Sequence, residues 1–236
     1  MPMDARIVRT KPLEIGELRA FLNRSAPATT GLPCSLGLPV LDAALGGGLP
    51  TGCLQEVIGG ADAAAGGFCA FLLGRLMTTG RSVLWGWIGE GDLYPPGLAA
   101  YGLDPARVIL VSASGPADLL WAMEEGLRSP ALAGVVMEVD RLDLVASRRL
   151  QLAAASGGVT GFLLARGRRV PAAVSAAALR WRIDGLPGER WRVLLERRRG
   201  GKPGGWILEK DDETDRLFVA AELADGSLAP PPTSAD

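Results

Sequence analysis

The sequence contains no histidine. That removes the commonest general base and the commonest transition-metal ligand, so any catalysis rests on carboxylates, lysine, hydroxyls or a bound ion. Lysine is scarce as well, and none occurs between Lys11 and Lys202. The three cysteines, Cys34, Cys53 and Cys69, are an odd number and form no C-x-x-C pair. They argue for a reducing compartment and against a disulfide framework, and they read as small core residues. No apolar h-region opens the chain, and no apolar run approaches membrane-spanning length. A cytoplasmic protein with no membrane partner is expected.

Apolar residues make up 48% of the 236. That is enough to bury the core of one sizeable domain with a small appendage. The net charge is −1, but it is unevenly spread. Residues 41–140 carry 4 basic and 11 acidic side chains, net −7. Residues 141–200 carry 13 arginines against 4 acids, net +9, and residues 201–236 carry 3 basic against 8 acidic, net −5. A basic block of this kind is a nucleic-acid surface, an inter-subunit surface or a solvated face.

Leu13, Leu18, Phe21 and Leu22 fall at helical spacing, and a linker rich in Pro, Ser, Thr and Gly follows. Residues 1–30 therefore read as an N-terminal helix and linker, packed on its own domain or docked on a neighbouring subunit. A short helix with Pro39 near its start is closed by Gly46, Gly47 and Gly48. Five short apolar runs follow, at 53–59, 81–89, 106–113, 133–140 and 159–166. They read as strands buried on both faces. Helical patterns separate them at 67–79, about 92–102, 116–128 and 143–156. The alternation predicts an α/β fold with a doubly wound, mostly parallel sheet and helices on both faces. After about residue 180, short strands are expected, with a C-terminal β-hairpin whose tip is residues 197–206. The core is expected over 31–220, and residues 221–236 read as a disordered, Pro-rich, acidic tail.

Residues 56–76 read as strand, glycine-rich loop and helix, the place of a phosphate-binding loop. Such a loop follows G-x-x-x-x-G-K-[ST], with lysine on the β/γ-phosphates and the hydroxyl on Mg²⁺. Here Gly59 and Gly60 open the loop, and Gly66 and Gly67 close it. Five residues rather than four separate Gly60 from Gly66, and Phe68 and Cys69 follow where Lys and Ser/Thr are needed. The alanine run 63–65 is a helix former rather than an anion cradle. The electrostatic parts of a productive site are missing, so neither ATP nor Mg²⁺ is expected as a cofactor. Backbone N–H groups alone can hold an anion, and nucleotide binding through an unusual loop geometry stays open.

The flanks of the loop are more specific. Residues 35–60 resemble the lead-in to a RecA-family core, L-D-x-x-L-G-G-G-L-P-x-G followed by the strand before the P-loop. Leu41, Asp42, Leu45, Gly46, Gly47, Gly48, Leu49, Pro50, Gly52 and Glu56 fit it without a gap. Residues 84–113 resemble the second strand, acidic turn and third strand of that family, with Glu90 near the residue that orients the attacking water in active members. The run 133–140 resembles the Walker B strand, with Asp140 at its end. Ala165 and Arg166 stand where active members carry a polar sensor. Asp140 and Glu90 read either as the metal and water residues of an ATPase or as ordinary carboxylates at strand ends. With the lysine gone, the second reading is favoured and the nucleotide site is taken as vestigial.

This lead-in, a degraded P-loop, short length and an arginine-rich C-terminal region together resemble the ImuA-type proteins, also described as SulA-like or RecA-like mutagenesis accessory proteins. The resemblance covers roughly residues 30 to 215. It implies a RecA-like fold and a non-catalytic accessory protein of damage-induced translesion DNA synthesis, not an enzyme. The implied partners are a catalytically inactive Y-family polymerase homologue and an error-prone C-family polymerase. RecA, DNA and a second copy of the chain are further candidates, since the acidic and basic stretches suit head-to-tail association or a charged partner. Two other classes stay open. One is a divergent Mg-dependent ATPase that regulates recombinase filaments. The other is a SulA-like cell-division inhibitor, against which length and the RecA lead-in argue.

The candidate DNA- or partner-binding residues are Arg148, Arg149, Arg166, Arg168, Arg169, Arg197, Arg198, Arg199 and Lys202. Arginine suits phosphate because its guanidinium binds bidentately. Trp181, Trp191 and Trp206 interleave with them, either as stacking platforms or, the favoured reading, as core residues from which arginines reach outward.

Overall fold

A computed structural model describes residues 31–60, 63–77, 80–90, 93–139, 142–166, 175–211, 213–214 and 216–223, without the side chains of Pro95 and Arg166. The expected N-terminal helix, Asp140, Arg168, Arg169 and most of the acidic tail lie outside these residues.

The chain alternates as its apolar runs predict. α1 (Pro39–Ala44) leads to β1 (Leu54–Gly59), α2 (Ala64–Leu76), β2 (Ser82–Ile88) and α3 (Pro95–Leu98). Then come β3 (Val108–Ala113), α4 (Pro116–Arg128), β4 (Leu132–Glu138), α5 (Leu144–Gly157) and β5 (Thr160–Arg166). Four further strands follow: β6 (Leu179–Leu186), β7 (Arg190–Arg198), β8 (Gly204–Lys210) and β9 (Leu217–Glu222). All nine form one sheet in the order β3-β2-β4-β5-β1-β6-β7-β8-β9. β1 pairs in parallel with both β5 and β6, and the strands from β6 to β9 pair antiparallel. The expected hairpin is therefore present, and β9 carries the sheet two residues past the expected core boundary.

Local chemistry sets the helix ends. Asp143 caps α5 by accepting from the Ala146 N–H at 2.7 Å, and Gly158, at φ 67°, ends it. Two prolines open α3, but it is only four residues long and passes into a 3₁₀ turn that Gly102 stops at φ 81°. The longer helix expected near 92–102 is cut short there.

Two cores flank the sheet. On one face α1 and α2 cover Val57, Trp85, Phe162, Trp181, Trp191 and Trp206. On the other, α4 and α5 cover Leu54, Leu84, Val111, Val135 and Leu163. Trp181, Trp191 and Trp206 are buried, which places them in the core. A fully buried tryptophan removes roughly 150–250 Å² from water, or about 4–6 kcal/mol before ordering costs. Trp181 also satisfies its indole N–H, which donates to Gln55 Oε1 at 2.9 Å.

Candidate functional site

In a doubly wound sheet, ligands sit outside the carboxyl ends of the parallel strands. β2, β4, β5 and β1 are consecutive neighbours, so their ends bring Glu90, Glu138, Arg166 and the Gly59–Gly60 turn to one rim. Gly59 lies opposite Arg166 in the ladder. Glu90 is exposed just beyond β2, after a turn fixed by Gly89, whose carbonyl accepts from Trp87 Nε1 at 3.1 Å and Ser112 Oγ at 2.6 Å. Asp140, Arg168 and Arg169 cannot be assigned a place, being outside the described residues.

The loop itself differs from the expectation. Gly66 and Gly67 do not close it, because α2 already begins at Ala64 and both glycines lie in its first turn. The alanine run has won the helix start by propensity. A Cβ on Gly59 would stand 2.3 Å from Ala65 Cβ, so the helix packs directly on the strand end. A Cβ on Gly67 would meet Trp191 at 2.9 Å and Tyr101 at 3.1 Å. Both glycines therefore serve close packing, one against the helix and one against aromatic rings.

Phe68 follows the glycine pair, the place where the sequence pattern expects a lysine, and here it is the fifth residue of α2. It is fully buried, edge-on to Trp181 at 5.4 Å and to Trp191 at 6.3 Å between centroids. Cys69, the next residue, is also fully buried. Burial pushes the Cys53 thiol up to about 11, and burial and then the Asp42 charge raise Cys34 as well. Both thiols are thus held protonated near neutral pH, which fits core residues rather than nucleophiles.

Sequence reasoning missed Glu138. It lies two residues before Asp140 on the face shared with Val136, and its Oε1 accepts from the buried Trp85 Nε1 at 2.8 Å. The signal was available: a buried indole needs an acceptor, and strand alternation puts Glu138 on the aromatic face.

The lead-in motif has a structural explanation. Asp42 accepts from Ser35 Oγ at 2.7 Å and from the Leu36 N–H at 2.8 Å, which pins the chain before α1. Gly48, at φ 135°, passes Cys34 so closely that a Cβ would stand 2.5 Å from its carbonyl oxygen. Arg198 donates to the Ala44 and Leu45 carbonyls at 2.7 and 2.8 Å, capping α1 from the hairpin. A Cβ on Gly46 would meet Arg198 Nη2 at 2.8 Å.

Among the described residues, the arginines of the basic block are dispersed rather than gathered. Arg197 donates to the Ala177 carbonyl at 2.9 Å and to Ser175 Oγ at 3.2 Å, and Arg199 donates to the Ala176 carbonyl at 3.1 Å. Arg149 pairs with Glu124 at 2.5 Å, between α5 and α4. Arg180 forms a largely buried pair with Glu56 at 2.6 Å, while Arg182 pairs with Glu196 and Arg192 with Asp184. Arg148 on α5, and Arg199 and Lys202 in the β7–β8 turn, are exposed. Among the described residues, no helix is long and apolar enough to cross a membrane.

This architecture matches a known one. The crystal structure of the RadB recombinase superposes with a TM-score of 0.56 at 20% identity, covering 78% of this chain and 98% of that one. At that identity the likeness speaks for the fold, which is RecA-like. No family model matches the chain. Protein ImuA of Caulobacter vibrioides, from strains NA1000 and ATCC 19089, is 39% identical over 224 residues, covering 83% of this chain and 91% of that protein. Identity at that level over most of both chains, on a RecA-like sheet, shows the kinship: the chain belongs to the ImuA family.

Proposed function

We propose that the chain is a non-catalytic, RecA-like accessory protein of damage-induced mutagenic translesion synthesis, and that it bridges polymerase-associated partners. One observation carries the non-catalytic part: the position of the nucleotide-binding lysine is held by Phe68, buried against two tryptophans. A phosphate loop stabilises transferring phosphoryl groups by charge, and an apolar ring supplies none. Kinship with ImuA supports the mutagenic role. The expected partners are the inactive Y-family polymerase homologue and the error-prone C-family polymerase.

The test is complementation. In a strain lacking the gene, the chain should restore damage-induced mutation, and Asp140→Asn and Glu90→Gln should restore it equally. Failure of either variant at normal protein level would favour the divergent ATPase. Co-purification with the two polymerase components, lost without DNA damage-induced expression of those components, tests the bridging role.

Direct DNA contact is a second reading, favoured by exposed Arg148, Arg199 and Lys202. It requires single-stranded DNA binding that weakens steeply with salt. Replacing those three residues by alanine should flatten the salt slope. Salt-insensitive binding, or none at low salt, removes DNA from the list of partners.

A further inference from the structure

We propose that the open edge of the sheet at β9, with the cleft at its start, docks an extended acidic segment of a partner protein. The inference uses no residue of the β1 loop and does not rest on the mutagenesis reading.

The cleft encloses about 240 Å³, between Phe71 and Arg75 of α2, Tyr101, and Arg216 and Leu217. Its back wall is firm, since α2 meets the following turn so closely that a Cβ on Gly74 would stand 2.8 Å from the Gly102 carbonyl. Cofactor sites commonly run to roughly 300–1,000 Å³, so this one suits side chains rather than a whole nucleotide.

Its chemistry has two parts. Phe71 and Leu217 are apolar. The Arg75 guanidinium lies 5.3 Å from the Phe71 ring centroid, a cation–π placement that fixes its direction. Among the described residues, neither Arg75 nor Arg216 has an ion-pair partner, whereas Arg180, Arg182 and Arg192 all do. Among the described residues, no carboxylate lines the cleft. Two unpaired guanidiniums beside an apolar floor select a carboxylate carried next to apolar side chains.

The edge supplies the rest. Among the described residues, β9 is the last strand of the sheet and pairs with β8 alone. Its sequence, LFVAAE, has neither lysine nor proline to blunt it, Phe218 is 41% exposed, and Ala220 and Ala221 are exposed too. An apolar open edge of this kind is an aggregation hazard unless something covers it. Leu217 joins the two features. It is the first residue of β9, it lines the cleft, and it packs with Val219 on the core covered by α2. A peptide strand added to β9 therefore presents alternate side chains on the cleft's face of the sheet. Main-chain bonds supply affinity and the cleft supplies selectivity. A nucleic-acid backbone fits less well, because it has no donors and acceptors at strand spacing to pair with β9.

The test pans a random-peptide display library on the full chain, in parallel with an Arg75→Glu/Arg216→Glu variant. Both arginines are exposed, so the variant should keep the wild-type melting temperature. Should reversal lower it, Arg75→Gln/Arg216→Gln removes the charge and keeps the shape. The expected peptides carry Asp or Glu within an alternating apolar pattern and bind the variant roughly tenfold or more weakly. Adding such a peptide should slow hydrogen exchange at the β9 amides. The proposal is overturned by an empty selection, by peptides without acids, by equal binding to the variant, or by unchanged β9 exchange. Peptide binding seen only after removal of residues 224–236 would overturn it in favour of the chain's own tail. Arginine-dependent binding of a single-stranded oligonucleotide, with no acidic peptide recovered, would overturn it in favour of a phosphate site.

Discussion

Replacing Phe68 by alanine removes a ring packed against two tryptophans. The ring is fully buried and makes edge contacts with Trp181 at 5.4 Å and Trp191 at 6.3 Å. A core Phe→Ala change costs about 3–5 kcal/mol. Two aromatic contacts, each worth roughly 0.5–1.5 kcal/mol, put this site in the upper part of that range. In a chain of this size each kcal/mol lowers Tm by roughly 2–4 °C, so a drop of about 8–20 °C is expected. Urea and thermal unfolding followed by tryptophan fluorescence read it directly, because both indoles lose their neighbour. Phe68→Lys restores the residue type of a phosphate loop, yet it buries an ammonium in an aromatic site and should destabilise more than alanine does. A loss under about 1 kcal/mol for Phe68→Ala would refute the reasoning. So would Mg-ATP binding gained by Phe68→Lys at an unchanged Tm.

Gly59→Ala sets a new methyl 2.3 Å from Ala65 Cβ and should cost about 1–3 kcal/mol. In a double-mutant cycle, Gly59→Ala/Ala65→Gly should cost less than the sum of its single changes, and strict additivity would contradict the contact. Arg198→Met deletes two bonds to the carbonyls at the end of α1 and should cost about 1–3 kcal/mol by urea midpoint. Arg198→Lys should recover little of it, since an ammonium lacks the fork that reaches both oxygens. The folded-state pKa of Cys53 is raised from 9.0 to about 11, so its protonated form is favoured by folding. That stabilisation is complete below pH 9 and is lost as pH rises from 9 to about 11. The wild-type chain should therefore lose stability relative to Cys53→Ala across that window, and a constant difference would show that the thiol is not buried.

The sheet was legible because each strand is a short apolar run closed by glycine or a polar residue, as with Val83–Trp87 and Val108–Val111. Burial on both faces leaves that trace in sequence. The tryptophans were legible as core for the same reason. The start of α2 was not, because a glycine pair after an alanine run has the look of a loop end, and only tertiary packing on Gly59 and Trp191 shows why helical glycines are needed there. The arginines were the hardest to read. Arg198 finds its acceptors more than 150 residues away, at Ala44 and Leu45, and Arg180 finds Glu56 across the β1–β6 ladder. Composition records their charge and says nothing of partners that only strand register brings together. The edge at β9 was hidden likewise, since an edge is a property of strand order.

The most direct measurement is calorimetry of the purified chain with ATP and with ADP, in Mg²⁺, at millimolar ligand. If, as proposed, Phe68 and the early start of α2 make this loop a packing joint rather than a phosphate site, no heat of binding is expected. Micromolar binding would contradict that proposal at the centre. Asp140 and Glu90 would then be the residues to mutate, and the chain would have to be treated as a nucleotide-gated switch.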